Sequence, residues 1–285
     1  MNVERFAPSP TGPLHLGHAF SAWTAWSEAK RAGGHFLLRM EDLDRSRVRP
    51  EYYSGIEEDL SWLGLTWQGE VLRQSDRLAA YRQALDRLTQ AGLTYYCRCT
   101  RRDIADAISA PQEGIIGPDG PVYPGTCRAA GVNEDDAFAV RLNMTKAMAA
   151  LNVNMLSFQE IGAGPGGQTG TIATSPDEMI GSVGDIVLRR RDGAMAYHLA
   201  VVVDDAFQAV THVTRGRDLF SATHIHRVLQ GLLDLPAPTY RHHPLVRDDT
   251  GKRLAKRDDA RAIATYRDAG MTARDVLDLA QTGAR

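Results

Sequence analysis

The chain has 285 residues, of which 43% are hydrophobic and 24% charged, and its formal net charge is −2. This charge excludes general polyanion binding, so any RNA contact needs a local basic patch. No stretch approaches the roughly 20 apolar residues of a membrane helix, and the N-terminus lacks a signal-peptide pattern. Three cysteines are few and odd in number, as is typical of a reducing compartment. We therefore expect a cytoplasmic protein without membrane contact.

The first hundred residues alternate between strand and helix patterns, which predicts an α/β fold with a doubly wound parallel sheet. The predicted elements are a strand at Val3–Phe6, a helix from Gly17, a strand in "HFLLRMED", a helix from Pro50 to Gly64 and a helix from Ser75 to Gly92. The continuous apolar run of the second strand is typical of a strand that is buried on both faces.

The stretch from residue 95 to 180 is rich in Gly, Pro and small polar residues, and we interpret it as an inserted lobe with irregular loops. After Gly184, "GDIVLRRRDG" and "AMAYHLAVVVDDA" predict two strands joined by a turn at Asp192-Gly193. "AVTHVTRG" predicts a further strand, "LFSATHIHRVLQGLLDL" a helix, and "ARAIATYRDAGMTARDVLDLA" a final helical segment.

The segment "PSPTGPLHLGH" places His15 and His18 where a helix begins after the first strand. Ligands bind at the carboxyl ends of parallel strands, and a helix N-terminus attracts phosphate. Gly17 would let a base or ribose approach the backbone, and the two histidines would stabilise charge at phosphorus. Taken alone, such a pair of histidines is more often structural.

A second candidate is "RLAKR", in a glycine-containing loop about 235 residues further along the chain. Lys256 in this loop would neutralise the leaving pyrophosphate of a nucleotide. Taken alone, this loop is more simply an exposed basic one, and the same holds for the basic stretches "RCTRRD" and "LRRRDG".

The motifs together resemble class I aminoacyl-tRNA synthetases. "RFAPSPTGPLHLGHA", "LLRMEDLDRSR", "YHLAVVVDDA", "HVTRGRDL" and "RLAKR" occur in the order typical of the glutamyl-tRNA synthetase group, from residue 5 to residue 257. The usual lysine-leucine-serine-lysine form has Arg253 and Ala255 at its first and third positions here, while Lys256 is kept. This departure removes the hydroxyl that the usual form of the loop offers to ATP.

The resemblance implies a Rossmann-type catalytic domain divided into residues 1–94 and 181–257, an inserted lobe at 95–180 and a short helical segment at 258–285. It implies a set of glutamate contacts formed by Arg5, Ala7, Ser9, Glu41, Tyr197 and Arg215. The ATP contacts would be His15, Gly17, His18 and Lys256, with Mg²⁺ as the partner of ATP. Catalysis would then be positioning and charge stabilisation by His15, His18 and Lys256.

Only about 28 residues follow Arg257, too few for an anticodon-binding domain. The chain in this respect is similar to the glutamyl-Q tRNA(Asp) synthetases. That family activates glutamate with ATP in the absence of tRNA and attaches it to queuosine in the anticodon of tRNA(Asp). We expect an ATP-dependent ligase with ATP, L-glutamate and queuosine-containing tRNA(Asp) as partners. We also expect a monomer, since nothing in the sequence requires a second subunit.

The same family resemblance gives the cysteines a role. It implies one structural zinc ion held by Cys97, Cys99, Tyr123 and Cys127, a set of four that suits the tetrahedral preference of zinc. On chemistry alone, His35 or a water would also serve as the fourth ligand, and three buried reduced cysteines without metal are the simpler alternative.

Two other functions fit parts of the sequence. One is a truncated glutamyl-tRNA synthetase that charges a tRNA 3′ end with help from another subunit. The other is a catalytically silent paralogue that binds RNA or an amino acid, which only the substitutions Arg253 and Ala255 favour. The retained histidines, Glu41, Arg215 and Lys256 favour an enzyme.

Overall fold

A computed structural model describes residues 1–108, 115–136, 139–247 and 261–284 of the chain. The strands are β1 (Val3–Phe6), β2 (His35–Met40), β3 (Leu72–Arg73), β4 (Thr94–Cys97), β5 (Ile116–Gly117), β6 (Gly120–Pro121), β7 (Ala139–Leu142), β8 (Leu156–Glu160), β9 (Gly170–Thr174), β10 (Val187–Arg190), β11 (His212–Gly216) and β12 (Thr239–His243). The helices are α1 (Leu16–Arg31), α2 (Pro50–Trp62), α3 (Leu78–Gln90), α4 (Arg101–Ile108), α5 (Met144–Leu151), α6 (Pro176–Glu178), α7 (Tyr197–Phe207), α8 (Ala222–Leu232), α9 (Ile263–Asp268) and α10 (Ala273–Thr282).

Two groups of parallel strands form the centre of the molecule. Strands β1, β2 and β3 pair in parallel in this order, and β11, β12 and β8 do the same, with β9 antiparallel at the edge. The Thr211 N–H donates to the Val3 carbonyl at 3.0 Å, and the Val3 N–H donates to Thr211 Oγ1 at 2.8 Å. These bonds place β11 beside β1, and the prediction of an α/β fold with parallel strands is confirmed.

Helix α1 packs beneath the first sheet through a row of small residues. Ala19, Ala22, Ala25 and Ala29 recur at helical spacing and are almost fully buried. Their small side chains permit close approach of the helix to strands β1 and β2 and to α10. The described residues after 260 form α9 and α10, in agreement with the predicted helical C-terminal segment.

The region predicted as an inserted lobe contains two kinds of structure. Strands β4, β7 and β10 form an antiparallel sheet, and β5 with β6 forms a short hairpin. Strand β8, however, pairs with β12 and therefore belongs to the parallel sheet. The division of the chain at residues 94, 180 and 257 stays a prediction.

One predicted strand is wrong. "AMAYHLAVVVDDA" forms helix α7, whereas the strand β10 and the turn before Ala194 are present as predicted. Helix α7 is buried on almost every side, from His198 to Val202 and again at Asp204 and Asp205. A helix buried all round has no polar face, so its sequence shows the same continuous apolar run as a buried strand.

Helix α7 is held in place by a buried carboxylate. Asp204 is fully buried and accepts hydrogen bonds from Gln74 Nε2 at 3.0 Å, Arg77 Nε at 2.7 Å and the Tyr81 hydroxyl at 2.7 Å. These three donors come from the start of α3 and the turn before it. Within the described ranges, no helix is both long and apolar enough to cross a bilayer.

We expect Asp204→Ala to lower the free energy of unfolding by about 3 kcal/mol, because it leaves three donors without their acceptor and removes the partner of a largely buried arginine. Urea denaturation followed by circular dichroism measures this change. Asp86→Ala, at an exposed position of α3, is the matched control and should change stability by less than about 0.5 kcal/mol. Equal stabilities of the two variants would contradict the anchoring role.

Candidate active site

A cavity of about 580 Å³ opens where the parallel strands β1, β2 and β11 end. Its lining includes all six predicted glutamate contacts: Arg5, Ala7, Ser9, Glu41, Tyr197 and Arg215. His18 of the predicted nucleotide motif lines it as well. The other predicted ATP contacts, His15 and Gly17, are not part of this lining. Lys256 lies outside the described residues, as do Arg253 and Ala255.

A second chamber of about 460 Å³ adjoins the first. The two chambers share part of their walls, namely Ser9, Glu41, Asp44, Arg47, Tyr197 and Leu219. The lining of the second chamber also includes Pro118 and Asp119 of the β5–β6 hairpin and His198 of α7. The cleft therefore has two adjoining compartments, and both are lined by Glu41 and Tyr197.

His15 and His18 form a reciprocal cap at the start of α1. His15 Nδ1 accepts from the Gly17 N–H at 3.1 Å, and His18 Nδ1 accepts from the His15 N–H at 3.2 Å. Both Nδ1 atoms are acceptors, so the proton of each neutral ring is on Nε2. The two rings are stacked with their centroids 3.8 Å apart. The cap thus fixes the orientation of the His18 ring in the cavity wall.

Gly17 is required by this cap. A Cβ atom at position 17 would lie 2.9 Å from Cε1 of the His15 ring, closer than van der Waals contact allows. The described contacts of Gly17 are therefore structural, and its predicted approach to a base or ribose stays a prediction.

Arg5 and Arg39 share one buried carboxylate. Asp205 Oδ1 accepts from Arg39 Nη2 at 2.6 Å and from Arg5 Nε at 3.1 Å. Burial opposes the charge of Asp205, but the two guanidinium groups outweigh it and lower the pKa of this carboxyl. Arg5 at the cavity wall is thus already paired with a carboxylate of α7, which it shares with Arg39.

Glu41 follows directly after β2, and its N–H donates to the Pro8 carbonyl at 3.0 Å. Its side chain is 11% exposed, and Oε1 lies 3.6 Å from Arg39 Nη2. Burial raises the pKa of the Glu41 carboxyl to about 7, although Arg39 and Arg5 lower it. A cation placed beside Glu41 in either chamber would favour the ionised form.

Arg215 is buried, with 5% of its surface exposed. Its guanidinium donates to Thr223 Oγ1 at 2.7 Å and to His242 Nε2 at 3.1 Å, and it lies 3.3 Å from His226 Nδ1 and 3.5 Å from the Tyr197 hydroxyl. Among the residues that the structure describes, no carboxylate forms an ion pair with it. Arg215 is therefore a buried cation surrounded by neutral groups at the cavity wall.

A carboxylate supports Arg215 from a distance, through a histidine. His242 Nδ1 lies 2.5 Å from Glu160 Oε2, while its Nε2 accepts from Arg215. Burial lowers the pKa of His242 and keeps the ring neutral. The negative charge nearest to Arg215 along this line is thus one imidazole ring away. This arrangement leaves the guanidinium suited to a direct carboxylate partner.

The three cysteines meet around Tyr123 in a separate cluster. The Tyr123 oxygen lies 3.4 Å from Cys97 Sγ and 3.3 Å from Cys99 Sγ, and Cys99 Sγ lies 3.4 Å from Cys127 Sγ. Ligands of a tetrahedral zinc ion with Zn–S bonds of about 2.3 Å would lie about 3.5–3.8 Å apart. The donor set and its spacing therefore fit zinc. His35, the alternative fourth ligand, lies at the start of β2 and pairs with Val3. The oxygen beside the sulfurs is that of Tyr123.

Comparisons with known proteins identify the family of this chain. Residues 2–280 match the model of class I tRNA synthetases (E and Q), catalytic domain. The chain is 55% identical over 282 residues to a glutamyl-Q tRNA(Asp) synthetase of Rhodobacter capsulatus, an alignment that covers 97% of this chain and 99% of that protein. It is 44% identical over 275 residues to the glutamyl-Q tRNA(Asp) synthetase of Nocardia farcinica, covering 96% and 82%. The chain belongs to the glutamyl-Q tRNA(Asp) synthetase family.

Solved structures place this family member within the wider fold class. A glutamate tRNA ligase from Elizabethkingia meningosepticum, solved in complex with its amino acid, superposes with a TM-score of 0.69 at 26% identity over 90% of this chain. The chain spans about half of that ligase, 52% of its length. A methionyl-tRNA synthetase of Mycobacterium tuberculosis superposes with a TM-score of 0.58 at 11% identity and shares the fold.

The residues that support the site were missed by the sequence reasoning. His226, His242 and Thr223 contact Arg215, and Asp205 contacts Arg5. Asp205 lies within the family motif "YHLAVVVDDA". The strand predicted for this segment does not indicate that the Asp205 side chain contacts Arg5. For the histidines, the pairs His224/His226 and His242/His243 were a visible signal in a chain of nine histidines.

Proposed function

We propose that this chain activates L-glutamate with ATP in the absence of tRNA and transfers it to queuosine in the anticodon of tRNA(Asp). The observation that carries the proposal is the buried Arg215, which has no carboxylate partner among the described residues and faces a cavity that also holds Glu41. The family relatives, named glutamyl-Q tRNA(Asp) synthetases, support the choice of substrate and acceptor.

The charges of the first chamber suit glutamate. A buried guanidinium without an anionic partner gains most from a carboxylate ligand, so Arg215 and the Tyr197 hydroxyl would hold the side-chain carboxylate. Glu41 would hold the ammonium group. Arg5 would contribute less to binding than a free guanidinium, because it is already paired with Asp205. Ala7 and Ser9 would complete the wall after β1.

The start of α1 would hold the phosphates of ATP. The helix terminus attracts anions, and His18, oriented by its cap with His15, would donate from Nε2 to a phosphate oxygen. The glutamate α-carboxylate would attack the α-phosphorus, forming glutamyl-adenylate and releasing pyrophosphate. Lys256 would stabilise the pyrophosphate, and Mg²⁺ would accompany ATP.

The second chamber would receive the acceptor nucleoside. It adjoins the first chamber at Glu41 and Tyr197, so a base that enters it comes beside the activated carboxyl group. A cyclopentene hydroxyl of queuosine would attack the acyl carbon, forming an ester and releasing AMP. An unpaired anticodon base suits such a pocket, since it can leave its stack.

Zinc would be structural in this protein. Cys97, Cys99, Tyr123 and Cys127 would hold it, as the convergence of three sulfurs and one phenol oxygen indicates. Arg141 lies over the Tyr123 ring at 4.0 Å. Burial raises the pKa of the Tyr123 phenol, so the bound ion itself would have to displace the phenol proton. A closed set of four ligands leaves no open position, so the ion would fold the lobe rather than take part in the reaction.

The proposed function predicts a specific pattern of products. The protein is incubated with ATP, Mg²⁺ and labelled glutamate, and then with queuosine-containing tRNA(Asp), unmodified tRNA(Asp) and tRNA(Glu) in parallel. We expect pyrophosphate exchange without tRNA and label on the queuosine-containing tRNA(Asp) alone. Label on tRNA(Glu) would instead indicate a 3′-end charging enzyme, and absence of any glutamate-dependent exchange would indicate a silent paralogue.

Glutamate use should depend on pH through Glu41. Its pKa of about 7 in the free protein means that the carboxylate needed for the ammonium is lost as pH falls through 7. We expect kcat/KM for glutamate in the exchange reaction to fall about tenfold per pH unit below pH 6. Glu41→Gln should have a low kcat/KM that no longer follows this pH dependence. A variant with the wild-type pH profile would contradict the role of Glu41.

The cysteine cluster predicts about one zinc ion per purified chain. Tyr123→Phe keeps the aromatic ring against Arg141 but removes the oxygen ligand, so it should lose zinc to a chelator faster than the wild type. Cys99→Ser should retain less than half of the metal. Tyr96→Phe, next to Cys97 on β4, is the control and should bind zinc normally. Elemental analysis measures the zinc bound per chain, and one full equivalent in Cys99→Ser would exclude this ligand set.

A further inference from the structure

Four side chains form a continuous hydrogen-bonded line from the inserted hairpin to the amino-acid pocket. Asp119 Oδ1 lies 2.8 Å from His198 Nε2, His198 Nδ1 lies 3.0 Å from His226 Nε2, and His226 Nδ1 lies 3.3 Å from Arg215 Nη1. The two histidines and Arg215 are buried, whereas the Asp119 side chain is 49% exposed in the wall of the second chamber.

The chemistry of the two ends fixes the direction of every bond in this line. A guanidinium only donates and an ionised carboxylate only accepts. His226 Nδ1 must therefore accept from Arg215, which leaves its proton on Nε2 to donate to His198 Nδ1. His198 then carries its proton on Nε2 and donates to Asp119. Burial lowers the pKa of His226 well below its usual value and keeps this ring neutral.

We propose that Asp119 is a positioning residue for glutamate. Through His198 and His226 it fixes the Nη1 group of Arg215, which faces the Tyr197 hydroxyl. This inference rests on the proposed function of Arg215 as the contact of the substrate carboxylate. It gives the β5–β6 hairpin, which lies between Cys99 and Tyr123 in the sequence, a role in amino-acid binding.

The contribution of Asp119 follows from what happens without it. If no acceptor faces His198 Nε2, the ring is free to carry its proton on Nδ1, where it meets the N–H of His226. His226 then has to move its proton to Nδ1, where it opposes the N–H of Arg215. If the protons stay where they are, His198 Nε2 has no protein acceptor; if they move, the N–H of Arg215 has none. One donor of the line is therefore left unsatisfied with either proton arrangement. Because Thr223 and His242 still hold Arg215, the guanidinium would turn rather than leave the pocket.

The test is ATP–pyrophosphate exchange by the full chain. We expect Asp119→Ala to raise KM for glutamate about threefold to tenfold, the equivalent of one net hydrogen bond. The kcat and the KM for ATP should stay within about twofold of the wild type. Asp119→Asn keeps an acceptor oxygen and should restore most of the affinity. Asp135→Ala, an exposed carboxylate of the same lobe, should behave as the wild type.

A second variant separates hydrogen bonding from packing. His198→Phe fills the same space without ring nitrogens and should show a similar rise in KM for glutamate. The double variant Asp119→Ala/His198→Phe should add little to either single change, because both interrupt one line. Additive effects would overturn the proposal. So would an unchanged KM in Asp119→Ala, or a parallel loss of kcat and ATP affinity, which would assign Asp119 a merely structural role.

The proposed function and this inference fail in different ways. Absence of glutamate-dependent exchange in the wild type would overturn both. Normal exchange in the wild type, combined with a wild-type KM in Asp119→Ala, would overturn only the positioning role.

Discussion

The arrangement of the cleft depends on two adjacent carboxylates of helix α7. Asp204 accepts three hydrogen bonds from the start of α3 and the turn before it, and Asp205 accepts from arginines on β1 and β2. Neighbouring residues of a helix point about 100° apart, so one pair of side chains can bind two different elements. Ionised groups in such buried surroundings cost free energy unless they are paired. Helix α7 is therefore held where both carboxylates meet their donors. Tyr197 at the start of the helix is thereby directed into the cavity.

The arginines of the cleft differ in how their charge is balanced. Arg5 and Arg39 share Asp205, and Arg39 also lies 3.6 Å from Glu41, so both already have a carboxylate partner. Arg215 is equally buried, but its neighbours are hydroxyl groups and neutral imidazoles, and the Glu160 carboxylate is separated from it by His242. Desolvating a cation without a direct counter-ion costs free energy, and a carboxylate ligand recovers it on binding. A hydroxyl or an amide ligand recovers less, which favours glutamate over glutamine.

The sequence predicted the parts of the site that are defined by local patterns. His15, Gly17 and His18 belong to a single helix start, although their reciprocal cap was not predicted. The residues predicted to contact glutamate belong to family motifs and all line the cavity, while their contact with glutamate stays a prediction. Helix α7 was misread because a fully buried helix and a buried strand are both continuous apolar runs. The contacts of Arg215 with Thr223, His226 and His242 join β11, α8 and β12, which only the assembled sheet brings together. No local pattern carries information of that kind.

The two chambers also explain why one wall can serve two reactions in succession. In activation, Glu41 would have the substrate ammonium beside it, and the partner cation favours its ionised form. The wall that carries Glu41 and Tyr197 is shared with the second chamber, so an acceptor that entered there would meet an amino acid already held at both ends. Transfer would then need no movement of the glutamyl group, only the approach of a hydroxyl. Since effective concentration in such an arrangement supplies much of the rate, the protein can perform both steps without a covalent catalyst.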